Sequence, residues 1–433
     1  MFNTFKSQSK NYLKRFDNLI FNFFPSNEIG WKIDLKIALL AFTISLLLAF
    51  PSLWLYFRPD KAGRLLYQMI QAENPLNRDL PLTAQILSYR FFVPTLNYFF
   101  GLRGYGVVLI PIISSFLNLF LISRILRNRT KDILFSLTCV VGISLTWFIV
   151  EGTAFWATTD SVSHLLLLLP AAFQINPAYF IFALPCSLFV DERSIFACVF
   201  LWLFLLRRDQ LEINSFDKIQ NKLLHLKLSR KMLFFSISML IGVIFWIIGR
   251  YIINSGVIAP VPDISVVTNQ IPQFRKFFKV YWFVQLLNHL SSFKWVYFYP
   301  LFLVIELMKT SSNNLIKIHG FNFKKFFGFH ILFFVFYSSI SMVNGDVWRS
   351  MSFAYFFVLD SILILYNLNK KFSLKLSRFI SFLMIITPVC FFGLQDLSPQ
   401  VSFPLPLVLL RTYLGLGESF FPFLEGLFRY VPS

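Results

Sequence analysis

Residues 161–206 read SVSHLLLLLPAAFQINPAYFIFALPCSLFVDERSIFACVFLWLFLL. The stretch is apolar almost throughout, yet Pro170, Asn176-Pro177, Pro185 and Asp191-Glu192-Arg193 interrupt it. A bilayer core needs only about 20 helical residues, so a single crossing would leave half of it unused. Proline inside a helix removes a hydrogen bond and bends the chain. The breaks therefore predict three short apolar segments, about 161–175, 178–190 and 195–206, each shorter than a full span. Tilted, broken or partly re-entrant helices are expected there. Irregular backbone at that depth is tolerated only where protein buries it or it lines a cavity.

Working outward, further apolar runs lie at 37–57, 105–123, 133–150, 232–249, 293–308, 327–343, 351–367 and 379–394. The 433-residue chain is 56% hydrophobic and 14% charged, with 57 Phe and a mean hydropathy of +0.65. Soluble domains carry nearer a quarter charged residues, so an ordinary globular enzyme is excluded. The net charge of +19 would suggest nucleic acid in a soluble protein, but no basic-aromatic module is present. In a membrane protein the excess belongs to cytoplasmic segments. Segments 1–36, 124–132, 207–231, 309–325 and 370–378 hold most of the 40 basic residues, and placing them on one side gives a consistent alternation. The expected fold is an all-α polytopic membrane protein of about 11 transmembrane helices with a cytoplasmic amino terminus. Its expected divisions are a basic tail (1–36), an amino-terminal transmembrane module (37–206), a basic loop (207–231), a carboxyl-terminal transmembrane module (232–394) and an external tail (395–433). No cleavable signal peptide is read at the start. Cys139, Cys186, Cys198 and Cys390 lie in apolar stretches without metal or disulfide spacing and read as small core residues.

Two acidic residues fall within apolar runs. Glu306 is expected to pair with Lys309, and Asp360 to bond between helices. No intramembrane relay of charges is read, which argues against an ion-coupled transporter.

The external side is richer. Arg58-Pro59-Asp60 follows the first apolar run, then an amphipathic stretch whose Leu65, Leu66, Met69 and Ile70 share one helical face, as a surface-lying helix requires. After the turn at Asn74-Pro75, a second semi-apolar helix carries Ser88-Tyr89-Arg90 and Pro94. The second external loop holds Glu151 and Asp160 without a basic residue, and His164, four residues past Asp160, can face it. Glu192 and Arg193, and then Asp346 and Arg349, reach the same side. A carboxylate near the membrane plane suits a general base acting on an acceptor hydroxyl. Arginines at that level suit a lipid-linked phosphate, whose oxygens match the guanidinium fork.

With these residues in view, the layout resembles the GT-C class of membrane glycosyltransferases. Shared are one helix before a long first external loop, an acidic residue opening that loop (Asp60), two juxtamembrane helices (61–73 and 83–101) and a second acidic loop (Asp160). The Ser88-Tyr89-Arg90…Pro94 and Thr159-Asp160-Ser161…His164 stretches also look like segments of bacterial surface-polysaccharide proteins of this type. The resemblance covers about the first 200 residues and lacks DxD and WWDYG-like signatures. It implies transfer of a sugar from a polyprenyl-phosphate-linked donor to a glycan or lipid acceptor on the periplasmic face of a bacterial inner membrane. Asp60 would be the base, with Asp160 as a second catalytic or acceptor-binding group. Arg90, Arg193 and Arg349 would serve the phosphate, His164, Glu192 and Asp346 the acceptor, and Arg58 would be a further substrate-binding residue. The cofactor stays open: no clear ligand motif for a divalent metal is present, and no acidic residue pairs with Asp60. No nucleic-acid partner is expected.

Two other readings stand beside it. An O-antigen-type polymerase or ligase would share the fold class, and the basic 250–292 segment, with Arg250, Arg275 and His289, would serve it. A lipid-linked glycan transporter would need internal repeats, and the broken 161–206 region has no counterpart in the second half.

Overall fold

The computed structural model describes residues 29–49, 63–76, 90–153, 158–173, 175–216, 229–255, 282–309, 323–343, 347–392 and 399–401. Their architecture is helical, relieved by one short antiparallel pair, β1 (Cys390–Phe392) against β2 (Pro399–Val401), with Cys390 opposite Val401.

Helix α1 (Gly30–Leu48) starts seven residues before the expected first run, so Asp34 lies inside a helix rather than in a basic tail. The cause is on α4 (Leu109–Thr130), which runs past the expected end at 123. Arg127 grips Asp34 through Nε at 2.6 Å and Nη2 at 2.9 Å, and the Asp34 side chain is fully buried. A charge can sit this deep only because its partner meets it with two parallel hydrogen bonds. The expected loop 124–132 is thus mostly helix, closed by Lys131 in the left-handed region at φ 53°. Between α1 and α4 lie α2 (Gly63–Glu73) and α3 (Phe92–Phe99), which pack on each other. They occupy the places expected for the juxtamembrane helices. Leu65 is buried in a small cluster with Ala72, Val107 and Val108, while Leu66 is exposed, so the apolar face is narrower than its four residues suggest.

The expected span 133–150 is two helices, α5 (Ile133–Ser144) and α6 (Trp147–Thr153), bent by 59°. Ser144 and Thr146 donate their hydroxyls to the carbonyls of Val141 and Ile143 at 2.8 and 2.7 Å, the local competition that bends helices. The deciding stretch divides as its breaks predict: α7 (Asp160–Phe173), a 3-10 turn at Pro177–Tyr179, α8 (Phe180–Val190) and α9 (Ser194–Phe216). Helix α9 carries Arg207 and Arg208 in continuous helix, so no loop begins at 207.

Helix α10 (Arg230–Asn254) follows, with the Ser229 side chain capping Met232 N at 3.2 Å. The run 293–308 resolves into α11 (Trp282–Phe293), a 3-10 turn and α12 (Phe298–Lys309). Next come α13 (Phe323–Val343), the short α14 (Val347–Ser352), α15 (Tyr355–Leu368) and α16 (Lys370–Ile386). The expected basic loop 370–378 is the first half of α16. Asn369 caps it at Phe372 N, and Ser373, Leu376, Ser377 and Ile380 form its buried stripe, leaving the lysines outward. One continuous core runs from Ile33 to Val389 and draws on both expected modules.

Among the described residues, three helical stretches are long and apolar enough to cross a membrane: 104–130, 230–253 and 285–309. The bent α5–α6 pair adds a fourth if it counts as one span, and several shorter apolar helices accompany them. The chain has the make-up of an integral membrane protein.

Candidate functional site

Where α6 ends and α7 begins, the chain closes tightly on the start of α4. A Cβ on Gly152 would stand 2.0 Å from Ser115 Oγ and 2.9 Å from the Pro111 carbonyl, so only glycine fits. Asn118 Nδ2 donates to the Ser161 carbonyl at 2.9 Å, and Ser161 Oγ to the Pro111 carbonyl at 3.0 Å. These contacts fix Glu151, near the end of α6, beside Asp160, the first residue of α7.

Across from them, α8 hands over to α9 through Asp191, whose side chain accepts from Arg193 N at 3.0 Å in an Asx-type turn. The Ser163, Ser187 and Ser194 hydroxyls bond to one another at 2.6 Å about Ser163 and seat this turn on α7. Helix α14 supplies Arg349, Arg90 stands two residues before α3, and Arg250 lies near the end of α10.

The result is a lattice of four carboxylates and four guanidiniums. Arg349 donates to Glu151 Oε1 at 2.6 Å and to Asp160 at 2.8 and 3.0 Å. Arg193 reaches Asp160 at 3.2 Å and holds Asp191 through two contacts of 2.6 and 2.7 Å. Arg90 bridges Asp191 at 2.8 Å and Glu192 at 3.1 Å, and Arg250 closes the row on Glu192 at 2.8 Å. Exposure is graded along the lattice. The Glu151, Asp160, Asp191 and Arg349 side chains are buried, whereas Glu192 and Arg250 are 29% and 30% exposed. Burial opposes ionisation of Asp191, but the guanidiniums of Arg193 and Arg90 outweigh it and hold its carboxyl well below the usual carboxylate range.

Several expected residues thus meet: Arg90, Asp160, Glu192, Arg193 and Arg349 belong to one network. Asp160 accepts from two guanidiniums, those of Arg349 and Arg193. Arg349 donates to Glu151 and Asp160, and its side chain is buried. His164 turns from Asp160 to Ser352 Oγ, at 3.2 Å, and packs against the rings of Phe148, Phe353 and Tyr355. Asp60, Arg58 and Asp346 lie outside the described residues. The sequence reading gave no site role to Glu151 or Asp191, and gave Arg250 one only in the polymerase or ligase reading. Asp191 and Arg250 close apolar helices, and Glu151 sits near the end of one, a signal that single positions do not distinguish from interfacial anchoring. Among the described residues no group of His, Cys, Asp or Glu is arranged to hold a metal ion. Arginines stand between these carboxylates instead.

A second ionic cluster lies farther along α9. Arg207 donates to Asp360 Oδ1, and His330 Nδ1 stands 3.1 Å from Asp360 Oδ2, all three side chains being buried. Asp360 thus bonds between helices, as expected, and its partner there is a charged one. Arg207, read from sequence as a cytoplasmic loop residue, is drawn inward by Asp360. Glu306 pairs with Lys309 at 3.6 Å, as expected.

No protein-family model matches the chain, and neither a curated protein nor a solved structure matches it significantly.

Proposed function

We propose that the protein is a membrane glycosyltransferase that moves a sugar from a polyprenyl-phosphate-linked donor to a glycan or lipid acceptor. The observation that carries the reading is the graded lattice. Its buried half is a rigid, ion-paired floor, and its partly exposed rim presents Arg90 and Arg250 on either side of Glu192. A donor phosphate can take the place of the Glu192 carboxylate between these guanidiniums, exchanging one anion for another at little electrostatic cost. The acceptor hydroxyl then attacks the anomeric carbon, a carboxylate takes its proton, and the lipid phosphate leaves with the electrons of the glycosidic bond. Asp60, assigned by the resemblance, is the base in this reading.

The proposed topology is eleven crossings: α1, α4, α5–α6, α7, α8, α9, α10, α12, α13, α15 and α16. Two end-to-end groupings support it. The start of α4, the end of α6, the start of α7, the end of α8, the start of α9 and the end of α10 meet around the lattice. The start of α1 meets the end of α4 through Asp34 and Arg127. The basic segments would then face the cytoplasm of a bacterial inner membrane, and the lattice the periplasm.

Native mass spectrometry of the detergent-purified protein tests the reading. Wild type is expected to retain a polyprenyl-monophosphate sugar that Arg90→Gln and Arg250→Gln lose. A retained pyrophosphate-linked oligosaccharide would replace the reading with polymerase or ligase, and the absence of any lipid-linked sugar would overturn it. One observation favours a second reading, an ion-coupled transporter of lipid-linked glycans: the buried Arg207–Asp360–His330 cluster. For it, proteoliposomes would show proton-driven uptake of a lipid-linked glycan, lost in the joint Arg207→Met and Asp360→Leu variant that keeps the fold, and no sugar transfer.

A further inference from the structure

Trp246 lies four residues before Arg250 on α10, about 6 Å along the helix axis and on the same face. The Arg250 guanidinium stands over its ring, 5.4 Å from the centroid. Between them α10 presses on α8: a Cβ on Gly249 would come 3.0 Å from Phe189 Cζ. Phe189 in turn packs on Phe91, the neighbour of Arg90, with ring centroids 4.7 Å apart. Three aromatic rings thus flank the two arginines of the rim. Only the Trp246 indole among them carries a donor, and its Nε1–H is shielded from solvent without a hydrogen-bond partner. Two other indoles satisfy theirs: Trp202 Nε1 donates to Ser236 Oγ at 2.9 Å and Trp295 Nε1 to Thr387 Oγ1 at 3.1 Å.

A shielded N–H without an acceptor costs free energy in the empty protein, and an incoming oxygen recovers it. A tryptophan that merely anchored the chain at the membrane surface would keep its N–H in contact with water or headgroups. We propose that Trp246 is a third donor to the lipid-linked phosphate, its Nε1–H bonding a phosphate oxygen once Glu192 yields its place between Arg90 and Arg250. This role rests on the phosphate exchange proposed for the rim and adds the residue that reads the membrane side of the phosphate. In the proposed topology α10 runs outward, so Trp246 lies one turn deeper in the bilayer than Arg250, where the phosphate meets its hydrocarbon chain. A neutral donor there selects for an oxygen without adding charge to the lattice.

The full-length protein in detergent is titrated with undecaprenyl monophosphate and, separately, with undecaprenol, and bound lipid is counted by native mass spectrometry. Trp246→Phe keeps a ring beside Arg250 and removes the N–H. It is expected to weaken retention of the monophosphate about tenfold, the factor for one hydrogen bond to a charged group, and to leave undecaprenol unchanged. Because the N–H is unpartnered in the empty protein, the variant should unfold in SDS micelles no earlier than wild type. Trp202→Phe, which breaks the bond to Ser236, should do the reverse, lowering stability and sparing retention. Undiminished monophosphate retention in Trp246→Phe overturns the role of Trp246 and leaves the rim reading standing. Equal loss of both lipids with earlier unfolding overturns it in favour of packing. Failure of wild type to prefer the monophosphate over undecaprenol overturns both.

Discussion

Replacing Arg349 with Gln removes the centre of the lattice while keeping a polar side chain of similar length. Arg349 supplies the hydrogen bond to Glu151 Oε1 at 2.6 Å and two of the contacts to Asp160. Asp160 would keep Arg193 at 3.2 Å, and Asp191 would keep both Arg193 and Arg90. The loss therefore concentrates on Glu151, which is 2% exposed and whose Oε2 has no hydrogen-bond partner. Breaking one side of a buried ion pair costs about 3–5 kcal/mol, because the remaining charge is left without compensation. Neutralising that charge should recover much of the loss. Arg349→Gln is expected to lower stability by about 3–5 kcal/mol, and Glu151→Gln in the same chain to return about 2 kcal/mol. The assay is equilibrium unfolding of the purified protein in mixed micelles of increasing SDS content, followed by far-ultraviolet circular dichroism, on wild type, both single variants and the double variant. If the two substitutions add to within about 0.5 kcal/mol, as independent sites do, the electrostatic account of the lattice is wrong.

Gly152→Ala would put a methyl group 2.0 Å from Ser115 Oγ and 2.9 Å from the Pro111 carbonyl. It should cost about 1–3 kcal/mol or more by overpacking, read in the same unfolding assay. Asp191 ionises in the fold below its unfolded value of about 3.9, so its contribution is complete above about pH 4 and is lost as pH falls toward the lower folded value. Acid titration of unfolding should show Asp191→Asn to be less stable than wild type at neutral pH, with the gap closing as pH drops below 4. A gap independent of pH would contradict the ion pairing. Asp360→Asn should leave Arg207 as an uncompensated buried charge at a cost of about 3–5 kcal/mol, whereas the joint change to Arg207→Met and Asp360→Leu should restore most of it.

The apolar breaks in 161–206 were readable because proline and paired charges have the same meaning in any context. They placed α7 and α8 to within a few residues. The ends of α1, α4 and α16 were misread for one reason: Asp34, Arg127 and the lysines of α16 are charged, and local composition treats charge as the edge of a helix. Only pairing across helices, or an amphipathic stripe such as Ser373, Leu376, Ser377 and Ile380, reverses that inference. The candidate site followed the same pattern. Its members were legible as charges at helix ends on one side, but their partners were not, since Arg349 and Glu151 stand 198 positions apart. Asp160 and Arg349 hold each other, a pairing that neither position reveals by itself.

The brevity of α7 and α8 bears on how the chain is made. At 14 and 11 residues they measure about 21 and 16 Å, against a hydrocarbon core of about 30 Å. In the proposed topology neither would enter the bilayer stably on its own, and each carries ionised groups at one end. Integration during synthesis would then have to wait for α9 and α10, whose long apolar faces can shelter the pair. Truncating the nascent chain before residue 230 should leave α7 and α8 outside the bilayer, open to glycosylation or protease at engineered sites.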